Sequence, residues 1–204
     1  MLNVKQSYGR LGSRRRSGKK ILGPKFIVAH DTGNIDSSAE DNVSFYQNPA
    51  HDTETSAHTF VDDKGAIEFI PDTEIAYHVR YGVPDDNLLY GLDANDAALG
   101  VELCYFTDKE RSLKAYNNYC EYIALKCVKF NLNPKSFIVG HFRLDIARRT
   151  DPMNAFNRVG KTWSDFISDV LFFTKTTKLT EETVSVEIPK SKVDQVLKFL
   201  KSLF

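Results

Sequence analysis

The sequence has no apolar run long enough to span a bilayer, and its opening, MLNVKQSYGRLGSRRRSGKK, holds no hydrophobic stretch of the length a secretory signal needs. Synthesis in a cytosol is the expectation. Cysteine is scarce: Cys104, Cys120 and Cys127 are an odd set, and the last two have a spacing that puts them on one helix. That argues against a disulfide framework and for small buried side chains. Neither sign of charge is in excess, with 27 basic and 27 acidic residues, so the overall field calls for neither nucleic acid nor an acidic membrane as partner. What is present is the composition of a soluble globular protein, 42% hydrophobic and 12% aromatic. The 204 residues suit one domain with a small appendage.

Two strand patterns end in histidine. FIVAH runs from Phe26 to His30 and into a turn at Asp31, Thr32 and Gly33, while Phe137, Ile138 and Val139 lead through Gly140 to His141. Asp151 follows ten positions after His141, across a loop carrying Arg143, Arg148 and Arg149. If the two strands are neighbours in one sheet, His30, His141 and Asp151 converge, as a three-ligand catalytic zinc site with an open fourth position requires.

The rest of the chain alternates strand and helix signals, the mark of an α/β protein. RRRSGKK, Arg14 to Lys20, concentrates five positive charges and reads as an exposed arm, either a solvated tail or an attractor for a polyanionic wall. Ser37 to Glu40 fits a capping box before a short helix bearing Val43, Phe45 and Tyr46. A hairpin pattern carries His58 on its first strand, Ala57 to Val61, with the return strand at Ala66 to Ile70. Ala76 to Val79 precedes a polar stretch, Tyr81 to Asp96, of the kind that forms binding loops. The next strand, Leu99 to Tyr105, sets Leu99, Val101 and Leu103 on one face and Glu102 on the other. Ser112 to Phe130 has the spacing of an amphipathic helix, as does Trp163 to Leu171. Thr174 to Glu182 turns polar and reads as a linker, and Ser191 to Phe204 reads as a short amphipathic helix.

Taken in order, His30 in VAHDTGN, His58 in SAHTFVDDKGAI, Glu102 in LGVELCY, and His141 with Asp151 in VGHFRLDIARRTDP resemble the zinc-dependent N-acetylmuramoyl-L-alanine amidases. More narrowly, the chain is similar to catalytic domains of phage endolysins that attack Gram-positive walls. Each motif alone is weak; five in family order, across Lys25 to Leu171, are a strong signal. The resemblance implies a central mixed β-sheet flanked by helices; with the sequence pattern, it gives a catalytic domain over residues 1–174 with a basic arm over 1–23, followed by a linker and terminal helix over 175–204 that rest on pattern alone. It implies one zinc ion on His30, His141 and Asp151, with Glu102 and Arg149 catalytic and His58, Tyr77 and His78 as substrate contacts. Ala57 departs from relatives that carry tyrosine before the middle histidine, which shifts catalytic weight to Glu102. Arg149 stands where relatives often have lysine.

The implied reaction is hydrolysis of the amide between N-acetylmuramic acid and L-alanine in peptidoglycan. Zinc held by two neutral imidazoles and a carboxylate would let its water ionise near neutral pH. Glu102 would move the proton to the leaving amine, and Arg149 would face the oxyanion. An endolysin would act on the wall after release from the cytoplasm with holin help. Two alternatives stay open: a recognition module of this fold that binds wall without cutting it, and a zinc peptidase acting on wall peptides. The terminal helix would dock on its own domain, self-associate or touch the wall.

Overall fold

The unbroken apolar character of Phe26 to Ala29 and of Ala98 to Leu103 suits strands covered on both faces, which is the environment of the centre of a parallel sheet. The computed structural model, which describes residues 2–21, 23–82 and 84–185, places them there. Strands β1 (Val4–Gln6), β2 (Phe26–Asp31), β3 (Thr59–Asp62), β4 (Gly65–Glu68), β5 (Ala98–Leu103) and β6 (Ile138–Gly140) form a sheet in the order β1-β4-β3-β5-β2-β6. Only β3 and β4, the expected hairpin, pair antiparallel; the other neighbours are parallel, so the sheet is mixed.

Among the described residues, eight α-helices surround it: α1 (Ala39–Gln47), α2 (Pro84–Tyr90), α3 (Ala94–Ala97), α4 (Lys109–Lys129), α5 (Pro134–Phe137), α6 (His141–Leu144), α7 (Met153–Arg158) and α8 (Trp163–Ser185). Strand alternation sorts the core. Ile27, Ala29, Leu99, Val101, Leu103 and Ile138 share one cluster with the α4 and α8 side chains Tyr116, Tyr119, Ile123, Phe166 and Val170. Phe26, Val28 and Val139 face the other way, under Ala94, Ala97 and Leu144. By the same alternation His30, Glu102 and His141 belong to this second face, away from α4.

Several expectations are corrected. The capping box lies one residue on: Ser38 caps α1, and Asp41 rather than Glu40 returns the bond to its backbone. The helix expected from Ser112 begins at Lys109 because Asp108 accepts from the Glu110 and Arg111 amides. The described residues of the arm over 1–23 are folded onto the domain, although many of their side chains stay exposed. Within the arm, β1 pairs with β4, the Gly9 amide donates to the Phe69 carbonyl, and Arg15 and Arg16 find acceptors in the body of the domain. The polar stretch 81–96 is not an open loop, since α2 and α3 occupy much of it. No linker interrupts residues 174–182, because α8 runs through to Ser185; the Thr174 and Thr176 hydroxyls donate to the carbonyls of Val170 and Phe172 one turn back, which accommodates threonine inside a helix. The helix expected over Ser191 to Phe204, with its docking, assembly or wall contact, lies outside the described residues. The three cysteines are buried and free.

One buried ion network ties α4 to the sheet. The Lys126 ammonium lies 2.7 Å from Glu68 Oε1 and 2.6 Å from Asp72 Oδ2. Burial alone would raise both carboxyl pKa values, but Lys126 outweighs it and holds both below their ordinary values. Depressed carboxylates stabilise the fold above the unfolded values of about 4 and lose that contribution as the pH falls through the lower folded ones. Lys126→Met, which leaves Glu68 without its cation and Asp72 with only the exposed Lys129 at 2.8 Å, is expected to cost about 3 kcal/mol in urea unfolding at pH 7. The deficit should shrink toward pH 3; a loss independent of pH would show that packing, not charge, is what Lys126 contributes.

Candidate metal centre

Parallel pairing does the first part of the assembly. His30 on β2 is in register with Glu102 on β5, and Ala29 with Gly140 on β6, so the strands deliver His30, Glu102 and His141 to one end of the sheet. Asp151 arrives from the loop that follows α6. Its carbonyl accepts from the Phe142 amide at 3.1 Å. The segment after it is pinned by Asp31, the residue next to His30: Asp31 Oδ2 accepts from the Asn154 amide at 3.1 Å and the Ala155 amide at 3.3 Å. The sequence marks Asp31 only as a turn residue, and its Gly33 amide contact bears that local signature. The contacts to α7, more than 120 positions away in the chain, carry no local signal.

Both imidazoles then meet one oxygen. His30 Nδ1 and His141 Nδ1 each lie 3.0 Å from Asp151 Oδ2, and the three candidate ligand atoms fall within 4.8 Å of one another. All three residues are buried. Burial lowers the His30 pKa to about 4, against the opposing pull of Asp151. Burial would raise the Asp151 carboxyl, yet the two imidazoles hold it well below the usual carboxylate range. Neutral imidazoles and an ionised carboxylate are the states in which these groups bind a divalent cation. Tetrahedral zinc with ligands at about 2.0–2.1 Å needs them about 3.3 Å apart, and the two imidazole–carboxylate separations of 3.0 Å come within a few tenths of an ångström of that.

A further imidazole supports this set. His78 Nδ1 lies 3.1 Å from His30 Nε2. For His30 Nδ1 to bind a cation its proton must sit on Nε2, and His78 Nδ1 is placed to accept it. The His78 and Val79 amides both donate to Asn95 Oδ1, at 2.9 and 3.0 Å, which fixes the backbone that carries the ring. Gly100 makes room for it: a Cβ there would come within 2.4 Å of His78 Cγ.

A cavity of about 260 Å³ opens over these groups, lined by His30, His78, Glu102, His141, Arg149 and Asp151, with Tyr46, Thr55 and Ser56 also on its walls. Glu102 Oε2 is sealed from solvent and has no hydrogen-bond partner. Burial raises its pKa well above normal, with help from Asp151 and Asp31 and against the pull of Arg149. Arg148 and Arg149 both lie on the cavity wall, and Arg148 is engaged by Asp145.

Two expected substrate contacts lie elsewhere. His58 is buried with both ring nitrogens spent: Nε2 donates to the Glu74 carbonyl at 2.9 Å, and Nδ1 accepts from the Gly100 amide at 3.0 Å. Tyr77 packs against Tyr81, with ring centroids 6.4 Å apart. Neither lines the cavity, nor does any residue of 81–96.

The role of His78 can be measured directly. His78→Leu removes the acceptor for His30 Nε2–H and is expected to weaken zinc binding by about 10–100-fold in chelator competition, with the fold retained by circular dichroism. An unchanged affinity would mean that His30 is oriented without it.

Comparison with known proteins now bears on this geometry. The family model for N-acetylmuramoyl-L-alanine amidase matches residues 19–154, a span that contains every residue of the centre. The chain is 32% identical over 148 residues to a probable N-acetylmuramoyl-L-alanine amidase of Bacillus licheniformis, covering 70% of this chain and 40% of that protein. It is 31% identical over 154 residues to the amidase BlyA of Bacillus subtilis, covering 72% and 41%. It thus spans about two fifths of the curated relatives it matches. Among solved structures, the catalytic domain of XlyA, an amidase of Bacillus subtilis, superposes with a TM-score of 0.67 at 25% identity, covering 83% of this chain and 99% of that domain. With the family model covering most of its length, the fold shared with a catalytic domain and the ligand set in one place, the chain belongs to the N-acetylmuramoyl-L-alanine amidase family.

Proposed function

We propose that this protein hydrolyses the amide bond between N-acetylmuramic acid and L-alanine in peptidoglycan, using one zinc ion held by His30, His141 and Asp151. The observation that carries the reading is one carboxyl oxygen: Glu102 Oε2 lies buried and without a hydrogen-bond partner among the described residues, beside a candidate two-histidine, one-aspartate ligand set. Zinc, when held there, supplies Lewis acidity to the scissile carbonyl and acidifies water. Glu102, with its raised pKa, takes the proton from the attacking water at Oε2 and returns it to the leaving amine. Arg149, on the same wall, faces the negative charge that develops on the carbonyl oxygen. His78 keeps His30 in the tautomer that leaves Nδ1 free.

A recognition module that only binds wall has no use for an unpaired buried carboxyl, which costs stability and stays only where it has work to do. No described helix is long and apolar enough to cross a membrane. Access to the wall from the cytoplasm through a holin-type pore, as for an endolysin, completes the proposal.

Two substitutions separate the roles. His141→Ala removes a ligand and is expected to abolish both zinc retention and lysis of walls; a mutant that keeps a full equivalent of zinc and still lyses would sink the ligand assignment. Glu102→Gln should keep zinc while turnover falls by about a hundredfold or more. Mass spectrometry of the digest distinguishes the bond: new free amine on alanine with intact glycan supports the amidase, and cleavage within the peptide would assign a peptidase instead.

A further inference from the structure

The basic segment near the N-terminus has no part in this chemistry, and Arg14 to Gly18 precede the span that the family model matches. Two of its cations are nonetheless turned inward. Arg15 is 3% exposed. One of its Nη atoms donates to the Thr55 carbonyl at 2.6 Å and the other to the His51 carbonyl, so a single guanidinium holds both ends of the 51–55 loop. Its Cζ also lies 4.1 Å from the centroid of the Tyr46 ring. Arg16 forms a two-point pair with Glu74, at 2.7 and 2.9 Å.

These attachments end at the cleft. Tyr46, Thr55 and Ser56 line the cavity that holds His30, Glu102 and Arg149. Ser56 is in turn tied to the stretch that carries His78: its amide donates to the Tyr77 carbonyl at 2.9 Å, and its Oγ accepts from the Tyr77 amide at 3.0 Å. A buried guanidinium is costly to desolvate, and this one spends its two Nη atoms on loop carbonyls and also bonds the Tyr46 side chain, with the Asp52 carboxylate adding a favourable charge nearby. The effect of that arrangement is to fix one wall of the cleft. It also leaves Arg15 and Arg16 unavailable to an anionic surface, which removes them from the polyanion-binding reading of the segment.

We propose that the N-terminal segment is a strap that shapes the substrate cleft, with Arg15 as a positioning residue for the wall formed by Tyr46, Thr55 and Ser56. It acts on how tightly substrate is held rather than on bond cleavage. The inference rests on the cavity being the amide-hydrolysing site proposed above.

The test is steady-state hydrolysis of a soluble muropeptide by the full chain loaded with zinc, comparing wild type with Arg15→Met. The expected result is a KM raised on the order of tenfold, with kcat within about twofold and zinc content unchanged. A merely structural role predicts a different pattern, since partial unfolding lowers the active fraction and therefore the apparent kcat while KM stays put. That pattern would overturn the proposal. If Arg15→Met does not fold, Arg15→Lys gives the same reading, because an ammonium keeps the charge but loses the fork that reaches both carbonyls; an unchanged KM there overturns the proposal as well. A wild-type protein that cleaves no muropeptide would refute the proposed function itself, an outcome distinct from normal cleavage with an unaltered KM in the variants.

Discussion

Asp151 Oδ2 faces two imidazole nitrogens at 3.0 Å each, and the geometry of the cleft depends on keeping that one oxygen where two strands aim their histidines. The strands themselves are fixed by burial on both faces. The loop that brings Asp151 back is not, so it is fastened at both ends: its carbonyl to the Phe142 amide, and the turn after it to Asp31. Asp31 is adjacent to His30, so a movement of β2 would carry ligand and anchor together. The three candidate ligands are therefore held as a unit, which is what a metal site would demand of them.

Electrostatics in this pocket is a matter of unequal burial. Desolvation pushes His30, His78 and His58 toward their neutral forms and pushes Glu102 toward its protonated form. Asp151 alone stays ionised, because its hydrogen bonds outweigh its own desolvation. The cleft thus moves the pKa values of two carboxyl groups in opposite directions, the arrangement by which a site separates the duties of chemically similar side chains.

The convergence of His30, Glu102 and His141 was legible in the sequence because each sits at a strand end or within a strand whose alternation is plain; Asp151, in a loop, has no such signal beyond its place in the motif. The sheet, the hairpin and the long helix α4 were legible for the same reason. What sequence pattern missed are long-range polar contacts. RRRSGKK looks like a solvated run because local composition cannot show that Arg15 meets the carbonyls of His51 and Thr55 or that Arg16 meets Glu74. Thr174 to Glu182 looks like a linker because threonine has weak helix propensity; within α8, hydroxyl bonds to the preceding turn accommodate it. His58 and His78 were expected alike as substrate contacts, and the 3.1 Å contact to His30 distinguishes His78 from His58, whose two nitrogens are consumed by backbone.

That contrast between His58 and His78 shows how the fold apportions work among similar residues. Both rings are buried, 5.8 Å apart, and both pack against β5 near Gly100. His58 bonds to backbone on both sides and so ties the hairpin strand to β5 and to the 71–77 stretch, which is a structural task with no free valence left over. His78 gives one nitrogen to His30 and lines the cavity with the other side of its ring. A ring whose polar atoms are all satisfied by main chain can stabilise but cannot respond, whereas one that bonds to a ligand transmits its orientation to the centre. The difference arises from where the partner carbonyls and amides fall, not from residue type or burial.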